Sequence, residues 1–146
     1  MVDASPAYLL GRFMFALDRA ADHLLQSQVG ISYKRALFLI VVQQCGTVTQ
    51  HELAVALGYS DPAVSTMLVE LAKDGYVQTA KSTTHGRKRL VTITPQGNEL
   101  VAQARQVLDV HFDQLLGIAG VDAQQLRELT ERLHQALMFK LKREQA

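Results

Sequence analysis

The sequence lacks most of the special devices by which small proteins are stapled, anchored or made catalytic. A single cysteine, Cys45, stands among 146 residues, which excludes an intramolecular disulfide and fits a reducing, cytoplasmic setting. No apolar run approaches the roughly 20 residues of a membrane-spanning helix; the longest, residues 36–42, covers two helical turns, so no membrane partner is expected. The opening Met1-Val2-Asp3-Ala4-Ser5-Pro6 has no basic patch ahead of an apolar core, so no secretory signal is expected. His23, His51, His85, His111 and His134 are scattered without metal-ligand spacing, and neither a metal nor a cofactor is expected. A glycine-rich phosphate loop, a G-x-S-x-G elbow and a nucleophile–histidine set are all missing, which argues against an enzyme. Cys45, in an apolar segment, reads as a small buried residue and not as a redox sensor.

Acid is also missing, but only locally. The chain carries 15 Lys+Arg against 14 Asp+Glu, a net charge of +1 that by itself favours no polyanionic partner. Between Asp74 and Glu99, however, there is no carboxylate, while Lys81, Arg87, Lys88 and Arg89 fall there with His85 beside them. That is a cationic footprint on a neutral body. With 48% hydrophobic and 20% charged residues the composition is globular. A chain of this size buries roughly 70% of its unfolded surface, so it needs no staple.

Apolar periodicity places a first helix from Tyr8 to about Val29 through Leu10, Phe13/Met14, Leu17, Ala20/Ala21 and Leu24, closed by Gly30. Ser32 caps a second, ending near Gln44 or Cys45 before Gly46. Thr49 and Glu52 have capping-box spacing ahead of Leu53, Ala54 and Leu57, and Gly58 closes that short helix. Ser60 or Asp61 caps the next, with Pro62 in its first turn, an apolar stripe of Val64, Met67/Leu68 and Leu71, and a stop at Gly75.

The period then changes from 3.6 to 2. Residues 76–81 and 89–94 are strand-prone and joined by the polar segment 82–88, which contains Gly86. Thr94-Pro95 opens a long helix to about Ala119, with Leu100, Val101, Ala104, Val107/Leu108, His111/Phe112 and Leu115 facing inward. Asp122 caps a last helix with Leu126, Leu129, Leu133 and Leu137 along one side. The expected fold is mainly α with a small β-hairpin, in the order α-α-α-α-β-β-α-α.

Two short capped helices, a glycine turn between them and a basic hairpin directly after make a winged helix-turn-helix pattern. The first helix braces the second, which is narrow enough for a major groove about 12 Å wide. Its small polar residues Ser60, Ser65 and Thr66 permit close approach to base edges. The hairpin's cationic end meets phosphates or the minor groove. Duplex DNA is therefore the expected partner.

The stretch TQHELAVALGYSDPAVSTMLVELAKDGYV at residues 49–77, followed by RKRLVTITPQG at residues 87–97, resembles the MarR family of bacterial transcriptional regulators. The resemblance implies a DNA-binding lobe at residues 47–95 and a helical dimerisation region at residues 5–46 and 96–143. It implies base contacts from Ser60, Pro62, Ala63, Ser65 and Thr66, and a wing arginine at Arg87 with Lys88 and Arg89 beside it. It further implies a homodimeric repressor on a palindromic operator, relieved by a small-molecule effector. Phe13, Leu17, Tyr33, Arg35 and Leu37 are candidates to line the effector site, with Arg35 available for an anion. The chain departs from the family at His85, where an aspartate is usual, and at Thr66 and Glu70, where an arginine often stands.

Two points stay open at this level. The Leu126–Leu137 stripe can pack within one chain or against a second. An alternative to DNA binding is a winged-helix protein-interaction module, because Asp61, Glu70 and Asp74 outnumber Lys73 on the second short helix.

Overall fold

The computed structural model describes residues 5–84, 86 and 88–145. Its elements, in chain order, are α1 (Pro6–Gln28), α2 (Tyr33–Cys45), β1 (Val48–Thr49), α3 (Gln50–Leu57), α4 (Asp61–Lys73), β2 (Val77–Lys81), β3 (Arg89–Ile93), α5 (Pro95–Ala119) and α6 (Ala123–Glu144). Each helix starts on a side-chain oxygen that accepts a backbone N–H otherwise left without a helical partner. Ser5, Ser32, Thr49, Ser60 and Asp122 accept from Tyr8, Arg35, Glu52, Ala63 and Gln125 in turn. At α5 the Thr94 hydroxyl accepts from Gly97 N at 3.0 Å. The three prolines, Pro6, Pro62 and Pro95, all lie in first turns, where their missing N–H costs nothing. The Ser5 cap explains why α1 begins at Pro6, ahead of the expected Tyr8.

One element escapes the sequence pattern. β1 is only two residues long, too short for any periodicity to register, yet it pairs antiparallel with β3, Val48 opposite Val91. With β2 on the other side, Val77 opposite Ile93 and Lys81 opposite Arg89, the expected hairpin becomes a three-stranded sheet in the order β1-β3-β2. The order of elements is therefore α-α-β-α-α-β-β-α-α.

The chain forms two compact units, Met1–Leu108 and Asp109–Ala146, divided inside α5. The first contains the core: Leu25, Phe38, Leu39, Val42, Leu53, Val64, Leu68, Leu71, Val77, Val91, Val101 and Ala104 are all buried. Burying each large aliphatic or aromatic side chain contributes about 1.5–3 kcal/mol, so this cluster holds α2, α3, α4, the sheet and the start of α5 together. In the second unit Leu116 is buried and Leu115 exposed, one position away from the expected inward face. Helix α6 has no buried residue, and Leu129, Leu133 and Leu137 are 53%, 63% and 50% exposed. Of the Leu126–Leu137 stripe, Leu126 is half-buried and the other three leucines are exposed. Cys45 is exposed, contrary to the expectation of burial, because it is the last residue of α2, one turn beyond the buried Val42.

The junction after the hairpin explains the residues 91–97, VTITPQG. The Thr94 hydroxyl donates to Gly75 O at 2.7 Å, and Thr94 N donates to Tyr76 O at 3.0 Å. A Cβ on Gly97 would lie 2.2 Å from that same Tyr76 oxygen, so only glycine fits this approach. The end of α4 and the start of α5 are in this way tied at the backbone.

Candidate nucleic-acid interface

Helix α4 divides cleanly into two faces. Val64, Leu68 and Leu71 are buried, whereas Ser60, Asp61, Pro62, Ala63, Ser65 and Thr66 are exposed. The helix period produces this split: three apolar residues at i, i+4 and i+7 point inward and leave the N-terminal turns bare on the other side. Thr66 donates its hydroxyl to Pro62 O at 3.1 Å. Small side chains on an exposed N-terminal turn allow close approach of a ligand surface to the helix.

Cationic side chains at and just before the start of β3 lie beside that turn. Lys88 and Arg89 line a concavity of about 330 Å³ together with Thr49, Gln50, His51 and Asp61. Arg89 also lines a second concavity with Gln50, Ser65 and Thr79. Three elements converge here: the N-terminus of α3, the N-terminus of α4 and the start of β3. The register sets the geometry, since Lys81 and Arg89 are opposite one another at the outer end of the β2–β3 ladder. Ser82 N donates to Lys88 O at 2.8 Å and closes the connection. Arg87 and His85 lie outside the described residues.

One contact here was not foreseen from the sequence, and one was. His51 Nδ1 lies 3.2 Å from Asp61 Oδ1, so the acid at the first position of α4 has a neighbour that is cationic when protonated. His51 and Asp61 are ten residues apart, and only the packing of α3 on α4 joins them. Glu52 completes the capping box: its carboxylate accepts from Thr49 N at 2.9 Å while Thr49 Oγ1 accepts from Glu52 N at 3.1 Å. The backbone hydrogen bond from Thr49, then the Thr49 side chain, hold the Glu52 carboxyl below its ordinary range, and the charge of Lys88 adds to this.

The expected effector residues do not gather in one place. Tyr33 lines a concavity of about 510 Å³ between α1 and α2, with Phe15, Asp18, Asp22, His23 and Lys34 among its neighbours. Burial, then the charge of Asp18, push the Tyr33 phenol above its usual range. Phe13 and Leu37 are exposed and Leu17 half-buried, and none of them lines this concavity. Arg35 is not free for an anion, because its guanidinium is ion-paired with Asp74.

A short braced helix, an exposed N-terminal turn on a second helix, and a sheet with cations beside that turn define a winged helix-turn-helix protein. The sequence profile of the MarR family matches residues 29–88. Similar solved structures include a cysteine-to-serine mutant of MarR from E. coli, 22% identical, with a TM-score of 0.78 and coverage of 94% of this chain and 99% of that one. The same mutant complexed with operator DNA is 24% identical, with a TM-score of 0.70 over 88% of this chain and 93% of that one. The MepR–DNA complex from S. aureus is 22% identical, with a TM-score of 0.74 over 93% and 98%. No curated protein matches the sequence. The profile match covers the lobe, and the fold is shared with MarR over nearly the whole length, so the chain is similar to the MarR family in sequence over residues 29–88 and in fold beyond them.

Proposed function

We propose that this chain is a transcriptional regulator that binds duplex DNA as a homodimer, with residues 47–95 as the DNA-binding lobe and residues 5–46 and 96–143 as the dimerisation region. The observation that carries the reading is the exposed N-terminal turn of α4 with Lys88 and Arg89 beside it. Ser60, Pro62, Ala63, Ser65 and Thr66 face base edges in the major groove, while Arg87, Lys88 and Arg89 meet phosphates or the minor groove. The MarR and MepR structures, both solved with DNA, support that orientation by their shared fold.

The dimer reading rests on apolar surface. Tyr8, Leu9, Leu10, Phe13, Met14 and Phe15 of α1 are exposed in the single chain, as are Leu129, Leu133, Leu137 and Phe139 of α6. Exposed apolar side chains in this number favour association. Two-fold symmetry sets two recognition helices on half-sites one turn apart, about 34–36 Å. The protein acts as a cytoplasmic repressor on a palindromic operator, has no enzymatic activity, and is released by a small molecule that prefers a dimer with the wrong half-site spacing. Among the described residues no helix is long and apolar enough to cross a membrane.

The protein-interaction alternative drew on the acids of α4. Asp61 lies beside His51 and Asp74 is paired with Arg35, which leaves Glu70 as the acid of that segment with no ion pair among the described residues. The discriminating experiment is selection of duplexes from a random-sequence pool by the wild-type chain and by Arg87→Ala. Enrichment of a palindrome by the wild type, weakened markedly by Arg87→Ala, supports the DNA reading. A folded dimer that enriches nothing in low salt overturns it.

A further inference from the structure

Asp74 stands at the wrong end of its helix. It is the C-cap residue of α4, where the unpaired carbonyls make the helix end negative and an acid is unfavourable. The structure supplies the compensation from another element: Arg35, in the first turn of α2, pairs its guanidinium with the Asp74 carboxylate. Arg35 is only 25% exposed on its side chain, and its Nε is buried with no hydrogen-bond partner among the described residues, so the Asp74 carboxylate is the anchor seen for the guanidinium. The preceding residue reaches the other end of the motif, with Lys34 Nζ 4.8 Å from the centre of the Tyr59 ring in the turn before α4. The first turn of α2 is itself fixed to α1, because Asp22 Oδ1 accepts from Tyr33 N at 2.9 Å while Gln26 donates to Asp22 Oδ2 at 2.8 Å.

We infer that Lys34 and Arg35 form a clamp on α4, in which Arg35 is a positioning residue for sequence-specific DNA recognition. Neither side chain is placed at the DNA-facing turn. Their effect is on direction: with the turn before α4 and the cap after it both held to α2, the exposed turn at Ser60–Thr66 keeps one orientation relative to the rest of the Met1–Leu108 unit. The backbone tie of Thr94 to Gly75 and Tyr76 holds the end of α4 to α5, and Arg35 adds the hold to α2. Loss of the pair frees the last turn of α4 without uncovering Val64, Leu68 or Leu71, so the lobe stays folded while its reading of sequence degrades. Non-specific binding, which depends on phosphate charge, is insensitive to such a change.

This inference rests on the DNA-binding reading, and the experiment separates the two. The full-length wild type is compared with Arg35→Met, Asp74→Asn, Arg35→Lys and the swap Arg35→Asp/Asp74→Arg. Amide exchange is followed at residues 71–76 in the free protein. Affinities are measured for a duplex selected by the wild type and for a random-sequence duplex at one salt concentration. In Arg35→Met and Asp74→Asn, exchange at those amides rises about tenfold and the preference for the selected duplex falls about tenfold. Affinity for the random duplex is unchanged; Arg35→Lys recovers part of the preference and the swap recovers most of it. Unchanged exchange, a preserved preference, or a swap that restores neither overturns the clamp. A wild type that selects no duplex overturns the DNA reading and the inference with it.

Discussion

The winged lobe and the terminal helices use apolar residues in opposite ways. In the lobe, Leu53, Val64, Leu68, Leu71, Val77 and Val91 are buried, and Val55 and Val69 are exposed. In α1 only Ala21 and Leu25 are buried, and in α6 nothing is. One chain completes the lobe's core, but it leaves the long helices with apolar faces open to water. The difference teaches that the lobe's core closes within one chain, whereas α1 and α6 keep open apolar faces, which a second copy covers in the proposed dimer.

The sharpest way to break this contrast is to charge the open face. Leu133→Glu combined with Leu137→Glu is expected to weaken dimerisation by at least about 3 kcal/mol, over a hundredfold, since each buried leucine contributes about 1.5–3 kcal/mol. Sedimentation would show monomer where the wild type is dimer, with helical content retained. Val55→Glu and Val69→Glu, equally exposed but in the lobe, should leave the dimer intact; if they dissociate it, the contrast is wrong.

Gly97→Ala tests the lobe's internal closure. A methyl group 2.2 Å from Tyr76 O must displace backbone, and the expected cost is about 1–3 kcal/mol in urea unfolding. A neutral result would mean that the tie between α4 and α5 is loose. Thr49→Ala removes one half of the α3 capping box and should cost about 1 kcal/mol, read as a lowered melting temperature.

The smallest effect is one of pH. The Glu52 carboxyl is held below the ordinary glutamate range by the Thr49 backbone hydrogen bond. A carboxyl with a depressed folded pKa stabilises fully above its unfolded pKa and loses that contribution as pH falls through the folded value. The melting temperature of the wild type should therefore converge on that of Glu52→Gln as pH drops below about 4.5. Asp22, lowered chiefly by the Tyr33 backbone hydrogen bond, should behave alike as pH falls below the ordinary aspartate range. A gap between wild type and Glu52→Gln that persists unchanged at the lowest pH would contradict the cap's electrostatic role.

Most of the fold was legible because its boundaries are chemical. Ser32, Thr49, Ser60, Asp122 and the residue pair Thr94-Pro95 announce helix starts by what their side chains can accept, and those caps are where the sequence places them. β1 was not legible, because two residues carry no period and its existence depends on β3 lying alongside. The burial of Leu116 in place of Leu115 shows the one-residue slack of a helical face near a helix end. At the candidate site, the exposed residues of α4 and the cations Lys88 and Arg89 follow from local pattern and charge. His51 beside Asp61 and Arg35 on Asp74 do not, since each joins residues that only tertiary packing brings together. The same limit applies to Cys45, which an apolar neighbourhood in sequence left at an exposed helix end in space.

The most direct test of the central claim is a titration of the full-length protein into a fluorescent duplex selected from a random pool, followed by anisotropy across a salt series. The account predicts two chains per palindromic duplex and an affinity that falls steeply and linearly on a log–log plot against salt, with a shallower slope when Lys88 and Arg89 are both replaced by alanine. Flat anisotropy in low salt, from a protein that is folded and dimeric, would contradict it.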